Sequence, residues 1–364
     1  MRIKDITNYL EELAPLSSQE SYDNCGLIVG DASADVKGIL VSLDCIEEIV
    51  DEAIATGANL IVAHHPIVFK GLKKINGKNY IERTVLKAIK NDIAIYAIHT
   101  NYDNYQFGVN REIGERLQLE NLTVLAPKRQ VLTKLVCFVP EVNVDDVASA
   151  MYNAGAGTIG NYKECSFKSE GEGTFKPVEG ANPAEGIVGE LSKVQEVRLE
   201  VLVSNHVLGA VLQAMKSAHP YEEVAHEMYA IMNDNQSEGA GMVGDLPEEM
   251  SELEFLKKLK EVFKCGSIRH TALLNSKVKR VAYCGGAGSF LLSQAKASGA
   301  DIFVTGDFKY HEFFDAENQI VIADIGHFES EQFTSNRLAA ILTKKFPKFA
   351  VRLTEVNTNP INYF

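Results

Sequence analysis

Five of the chain's nine histidines stand at the ends of strongly apolar runs, where imidazoles can reach a common point. His64 and His65 end "NLIVAHHP", and His99 opens "HTNYDN", which also carries Asn101 and Asp103. Asp307 and His311 lie in "TGDFKYHE", His327 and Glu331 in "GHFESE", and Asp44 closes "GILVSLD". Imidazole plus carboxylate, without clustered thiolates, is the donor set of a hydrolytic divalent ion rather than of a structural zinc. The candidate ligands are therefore His64, His65, Asp103, His327 and Glu331, enough for two ions. Asp44, His99 and His311 are candidates for orienting those ligands or moving protons. His327 and Glu331 are spaced i, i+4, so a helix starting at His327 puts both on one face. Neighbours along a strand face opposite ways, and His64 and His65 converge only if the strand breaks there. Pro66 supplies the break, since it cannot donate a ladder hydrogen bond. A lone histidine at a strand end is usually a hydrogen-bonded structural residue, so the constellation carries this reading rather than any single member.

Positioning these residues requires strands that end at one edge. Two regions alternate short apolar runs with helical patterns: "GILVSLDC" to "IAIYAIHT", and "VKRVAYCGG" to "QIVIADIGH". Strands apolar on both faces, separated by helices, predict a mostly parallel or mixed sheet covered on both sides, with function beyond the carboxyl ends of the strands. At a constant offset, Val36–His65 matches Val278–Asp307 without a gap. "ATGANLIVAHH" then lies over "ASGADIFVTGD", which predicts a duplicated β/α unit and a two-lobed core with a cleft between the lobes.

Between these regions the pattern changes to β-α-β-loop-β-α-β, the order of a ferredoxin-like α+β unit. Its middle, "YKECSFKSEGEGTFKPVEGANPAEG", reads as a long hairpin or loop, and "NDNQSEGAGMVGD" as the linker returning to the core. The expected domains are core lobe 1 over residues 1–128, the inserted unit over 129–235 and core lobe 2 over 236–364, the two lobes packing as one discontinuous domain. "CGGAGSF" lacks a full dinucleotide fingerprint or a phosphate-loop lysine and reads as a tight turn. Cys45 and Cys284 read as small buried hydrophobes, and His219 and His226 as residues shaping a loop or subunit contact.

A chain that is 46% hydrophobic can bury a large core, and a net charge of −13 argues against a general grip on nucleic acid. Six scattered cysteines with no CxxC pair suit a reducing compartment. The amphipathic start lacks a signal peptide's apolar run, and no segment reaches the roughly 20 apolar residues of a membrane span. The expectation is a cytoplasmic protein.

At "SYDNCGLIVG", "AHHP", "HTNYDN", "HPYEEVA", "GDFKYHE" and "GHFESE" the chain resembles, nearly end to end, the Nif-three-like (NGG-interacting factor three-like) family. Its members are often labelled GTP cyclohydrolase type 2 homologues. The resemblance implies a two-lobed α/β core with a dinuclear metal centre in the cleft. It also implies a PII/CutA-like inserted domain and a toroidal homohexamer built as a trimer of dimers. Carried over by motif, the ligands are His64, His65, Asp103, His327 and Glu331. One ion would be held by His65, Asp103 and Glu331 and the other by His64 and His327, with Glu331 or a water between them. The ions expected are two divalent metals, zinc first, with iron or manganese as the other choices. The expected function is a metal-dependent hydrolase acting on a nucleotide-like small molecule. The alternative is a non-enzymatic metal-dependent scaffold or regulatory protein.

Overall fold

A computed structural model describes residues 1–364. The chain divides into two compact units, one built from Met1–Pro127 with Ser237–Phe364, the other from Lys128–Gln236. In chain order the strands are β1 (Gly26–Val29), β2 (Ile39–Ser42), β3 (Leu60–Ala63), β4 (Ala94–Ala97), β5 (Glu120–Lys128), β6 (Leu132–Pro140), β7 (Ser166–Phe175) and β8 (Ser192–Ser204). They continue with β9 (His226–Ala230), β10 (Asn235–Ser251), β11 (Arg269–His270), β12 (Lys277–Ala287), β13 (Ile302–Gly306), β14 (Val321–Asp324) and β15 (Val351–Leu353).

The first unit holds two mixed sheets, ordered β1-β4-β3-β2-β15 and β11-β14-β13-β12-β10-β5. In both, the parallel centre is buried on each face. Ile39, Val41, Leu60 and Val62 enter one core together with Val281, Tyr283, Ile302 and Val304 of the second sheet. The alternate residues Leu40, Ile61 and Ile95 pack outward on Ile49, Val50 and Val85, which lie on the helices Glu47–Thr56 and Tyr80–Lys90. Strand periodicity thus sends successive side chains into two different cores, which is why these runs read as continuously apolar. No helix is long and apolar enough to cross a membrane.

The duplicated pattern is visible in the pairing. The offset that carries Ile39 onto Val281 and Leu60 onto Ile302 matches the register Ile39↔Leu60 of the first sheet to Val281↔Ile302 of the second. Gly57 and Gly299 occupy equivalent positions after their helices, both at φ 73°. The two halves also exchange edges. β15, from the C-terminal segment, pairs parallel to β2 of the first sheet, and β5, from the N-terminal segment, completes the second sheet beside β10.

In the second unit the strand order is β7-β8-β6-β9, with every neighbouring pair antiparallel, which is the ferredoxin-like arrangement. The helices Val144–Asn153 and Leu208–Ala218 contribute Val147, Met151, Val211 and Met215 to its core. The stretch expected as a long hairpin or loop supplies the ten-residue strand β7, which pairs antiparallel with β8 as a hairpin, and the expected linker lies mostly within the long strand β10. His219 is fixed in place: its Nε2 donates to the Phe138 carbonyl at 2.9 Å, and its Nδ1 accepts from the Tyr221 amide at 3.1 Å.

Candidate metal centre

His64 and His65 follow β3, and their amides extend its ladder, bonding to the carbonyls of Ser42 and Leu43. His64 is fully buried, and its Nδ1 lies 2.8 Å from the Ile98 carbonyl. A carbonyl only accepts, so Nδ1 carries the proton and Nε2 presents its lone pair. The same logic repeats three times. His65 Nδ1 donates to Asp44 Oδ1, His99 Nδ1 to Asp23 Oδ1 and His327 Nδ1 to Asp307 Oδ2, each at 2.8 Å. Four imidazoles thus have their outer nitrogens held by acceptors, the arrangement that fixes the tautomer of a metal-binding histidine.

The inner atoms form two triplets that share Glu331. His65 Nε2 and His327 Nε2 lie 3.0 and 3.1 Å from Glu331 Oε2 and 3.3 Å from each other. His64 Nε2 lies 3.5 Å from Asp103 Oδ1 and 3.9 Å from Glu331 Oε1. His99 adds a third grouping, with His64 and His65. The five expected ligands therefore come together, in groups whose ligand atoms lie within 4.8 Å of one another. His65 is grouped with His327 and Glu331, and Asp103 with His64 and Glu331. The buried Glu331 presents Oε2 to His65 and Oε1 to His64. His311 is not among them. It lies exposed on the 3-10 turn Tyr310–Ala316, its ring against Tyr310 and Phe314.

Local structure explains the placements. The short helix His327–Glu331 puts its first and last residues on one face. Asp103 closes the helical turn Thr100–Asp103 that directly follows His99. Gly286, at φ 63°, lets the backbone pass beneath Glu331, because a Cβ there would sit 2.4 Å from Glu331 Oε1. The amides of Gly285 and Gly286 donate to Asn110 Oδ1 and Ser330 Oγ, so "CGGAGSF" spends these donors on side chains rather than on an anion.

The donor set fits a cation. His64 Nε2 and Asp103 Oδ1 are buried without a hydrogen-bond partner, although buried polar atoms are nearly always satisfied. Five carboxylates (Asp23, Asp44, Asp103, Asp307 and Glu331) surround the four imidazoles. Burial works against the charged form of His65, but the Asp44 and Glu331 carboxylates outweigh it and push the imidazole up to about 9. His327 is pushed up to about 11, against burial, mainly by Glu331 and Asp307. Burial, reinforced by the Glu331 charge, pushes Asp103 up to about 7. Burial would also raise Glu331, but His327 and the histidine hydrogen bonds hold it well below the ordinary carboxylate range.

Two supporting residues were not foreseen. Asp23 receives His99 Nδ1–H and the Thr100 amide, and Thr358 donates to Asp44 Oδ2 at 2.5 Å. Asp23 precedes β1, which runs antiparallel to β4, so the amino end of β1 lies at the same edge as the carboxyl ends. A search of carboxyl ends alone passes over it. Thr358 follows β15 and would have been found had that strand been recognised. Removing one such support has a defined expectation. In Asp44→Ala protein, metal affinity should fall roughly 10–100-fold in a competitive chelator titration. Unchanged affinity would remove Asp44 from this role.

The sequence model of Duf34/NIF3 (NGG1p interacting factor 3) matches residues 1–360. The chain belongs to this family. It is 39% identical over 99% of its length to a Bacillus subtilis protein named GTP cyclohydrolase 1 type 2 homolog, 98% of which is covered. A Halalkalibacterium halodurans protein of the same name is 38% identical, with 98% of each chain covered. Among solved structures, a Bacillus cereus protein related to NIF3 superposes with a TM-score of 0.88 at 38% identity, covering 100% of this chain and 99% of that one. A Staphylococcus aureus protein gives 0.79 at 30% identity with the same coverage.

Proposed function

We propose that this NIF3-family protein binds two divalent metal ions and uses them as a hydrolase on a nucleotide-like small molecule. The observation that carries the reading is the shared orientation of four imidazoles, each tied at Nδ1 and turned inward at Nε2. His65, His327 and Glu331 would hold one ion, and His64, Asp103 and Glu331 the other. Zinc is the first choice for this donor set, with iron and manganese also suited to it. Such ions supply Lewis-acid polarisation of a substrate oxygen and acidify water. His99, backed by Asp23, would hold or pass a proton at its Nε2.

Beside the cluster lies a cavity of about 220 Å³ whose walls include Tyr22, His99, Asp103, Phe290, His327 and Glu331. The curated relatives' shared name points to GTP, and a purine ring has the flat faces that Tyr22 and Phe290 could pack against. The cavity is smaller than the roughly 300–1,000 Å³ of common small-molecule sites. That size favours the second reading, a metal-dependent scaffold or regulator without turnover. Anaerobically purified protein assayed for metal and then against nucleotides, phosphoesters and cyclic amides separates the two. The hydrolase reading expects two ions per chain and a turnover that His65→Ala and Glu331→Ala abolish. Turnover no higher than in those variants would leave the scaffold.

A second test uses pH. The His65 imidazole rises from its ordinary 6.5 to about 9 in the folded, metal-free protein. Its contribution to stability is therefore fully present below pH 6.5 and is lost as pH rises through 9. A metal ion requires the neutral imidazole, so metal stabilisation grows over that interval. The melting-temperature gap between metal-loaded and chelator-treated protein is expected to widen from pH 6.5 to 9, and a narrowing gap would count against the site. We further propose that the ferredoxin-like unit is a PII/CutA-like domain and that the chain assembles as a homohexameric trimer of dimers, for which sedimentation equilibrium is the check.

A further inference from the structure

The second unit contains a cavity that neither the fold nor the metal cluster requires. It measures about 380 Å³ and lies where the end of β7 and the segment after it face the turn between the helix Leu208–Ala218 and β9. That is the size of a small-molecule site, and it is larger than the cavity at the histidine cluster.

Its walls combine two kinds of surface. Phe175 and Tyr221 meet edge to face, with ring centroids 5.8 Å apart, and Pro177 and Val178 extend the apolar side. Opposite in character are four carboxylates, Glu185, Glu196, Glu222 and Glu223, against a single ammonium, Lys176. Two of the four carboxylates are held by hydrogen bonds. Glu196 Oε1 accepts from the Tyr221 hydroxyl at 3.0 Å, and Glu222 Oε1 accepts from the Asn182 amide at 2.9 Å. Gly173 leaves the space Glu196 occupies, since a Cβ there would lie 2.0 Å from Glu196 Oε2. The Tyr221 hydroxyl reports the resulting field, for burial first and then the nearby charges of Glu196 and Glu185 raise its pKa well above the ordinary value.

Aromatic faces beside a cluster of carboxylates, with Glu196 held among them, attract a cation with an apolar stem. The rings meet its positive face and the carboxylates take its N–H donors. An anion would meet an excess of three negative charges, and a neutral apolar molecule would strip water from the carboxylates without return. We propose that this unit binds a small organic cation, guanidinium or alkylammonium in class, with its head at Glu196 and Glu185 and its stem against Phe175 and Tyr221. The site is separate from the metal cluster and does not depend on the reading given above.

The test is calorimetric titration of the full-length, metal-loaded protein with n-butylguanidinium and its uncharged near-isostere n-butylurea. The cation should bind at least tenfold more tightly. Glu196→Gln, which keeps an acceptor for Tyr221, should lower cation affinity about tenfold, the loss of one charge-assisted contact of about 1.4 kcal/mol. Tyr221→Leu should weaken the cation by removing an aromatic face, while metal content and the unliganded melting temperature confirm folding. Equal binding of the two probes, no detectable binding of the cation, or unchanged affinity in Glu196→Gln protein that melts normally would each overturn the assignment.

Discussion

If the protein binds two metal ions as proposed, Glu331→Gln is expected to lose both in one step. Glu331 is the only residue common to the His65–His327 and His64–Asp103 groups, and each of its oxygens faces a different one. Glutamine preserves shape at a position that is 3% exposed, so packing is retained while the charge disappears. What remains is two imidazole nitrogens on one side and His64 with Asp103 on the other, both short of an anionic ligand. Affinity should therefore fall by more than the roughly 10–100-fold that loss of an outer hydrogen-bond partner costs. His327→Ala is the contrasting variant, because it touches one group and should spare the ion of the other. Metal-to-protein ratios near zero for Glu331→Gln and near one for His327→Ala are the expected pair. Two ions retained in Glu331→Gln protein would show that the groups are independent.

The second large effect is expected at Gly306→Ala. By the internal repeat, Gly306 stands where the first half has His64, and Asp307 where it has His65. The structure supplies the reason that no histidine pair occupies this position. A Cβ on residue 306 would lie 2.7 Å from His327 N, 2.8 Å from Gly326 C and 2.9 Å from His327 Cα. All three are backbone atoms, so no rotamer change relieves the collision. The expected cost is at the upper end of the roughly 1–3 kcal/mol typical of overpacking, and the displaced His327 should bind metal less well. Urea denaturation with and without chelator measures both, since the loss should be larger in the presence of metal. A variant as stable as the parent would mean that this crossing can slide.

Much of the site was legible because the positions that decide it are local. Pro66 after two histidines, and the i, i+4 spacing of His327 and Glu331, carry their geometry in a few residues. What was not legible depends on partners distant in sequence. The split of ligands between the two groups depends on how helix His327–Glu331 meets the end of β3. The edge exchange depends on β15 being only three residues long, too short for a periodicity to show. The glycine-rich "NDNQSEGAGMVGD" suggests a flexible linker, yet its glycines answer a crowding requirement. At Gly239 a Cβ would lie 2.2 Å from the Ala126 carbonyl oxygen, and at Gly244 it would lie 3.0 Å from that of Glu120. Composition alone does not distinguish a glycine chosen for freedom from one chosen for thinness.

The pairing of β15 with β2 has a consequence for the order of events at the ribosome. Ile39 emerges early, but its partner Val351 is made only after nearly all of the remaining chain. During synthesis the first sheet therefore carries an open edge at β2, and open edges invite wrong partners. His64 and His65 also wait for His327 and Glu331 before either ligand group exists. Metal loading, on the proposed reading, would thus be a late event that coincides with closure of the sheet. On the proposed metal-binding reading, a nascent chain stalled before residue 327 should accordingly retain no more metal than the full-length Glu331→Gln protein.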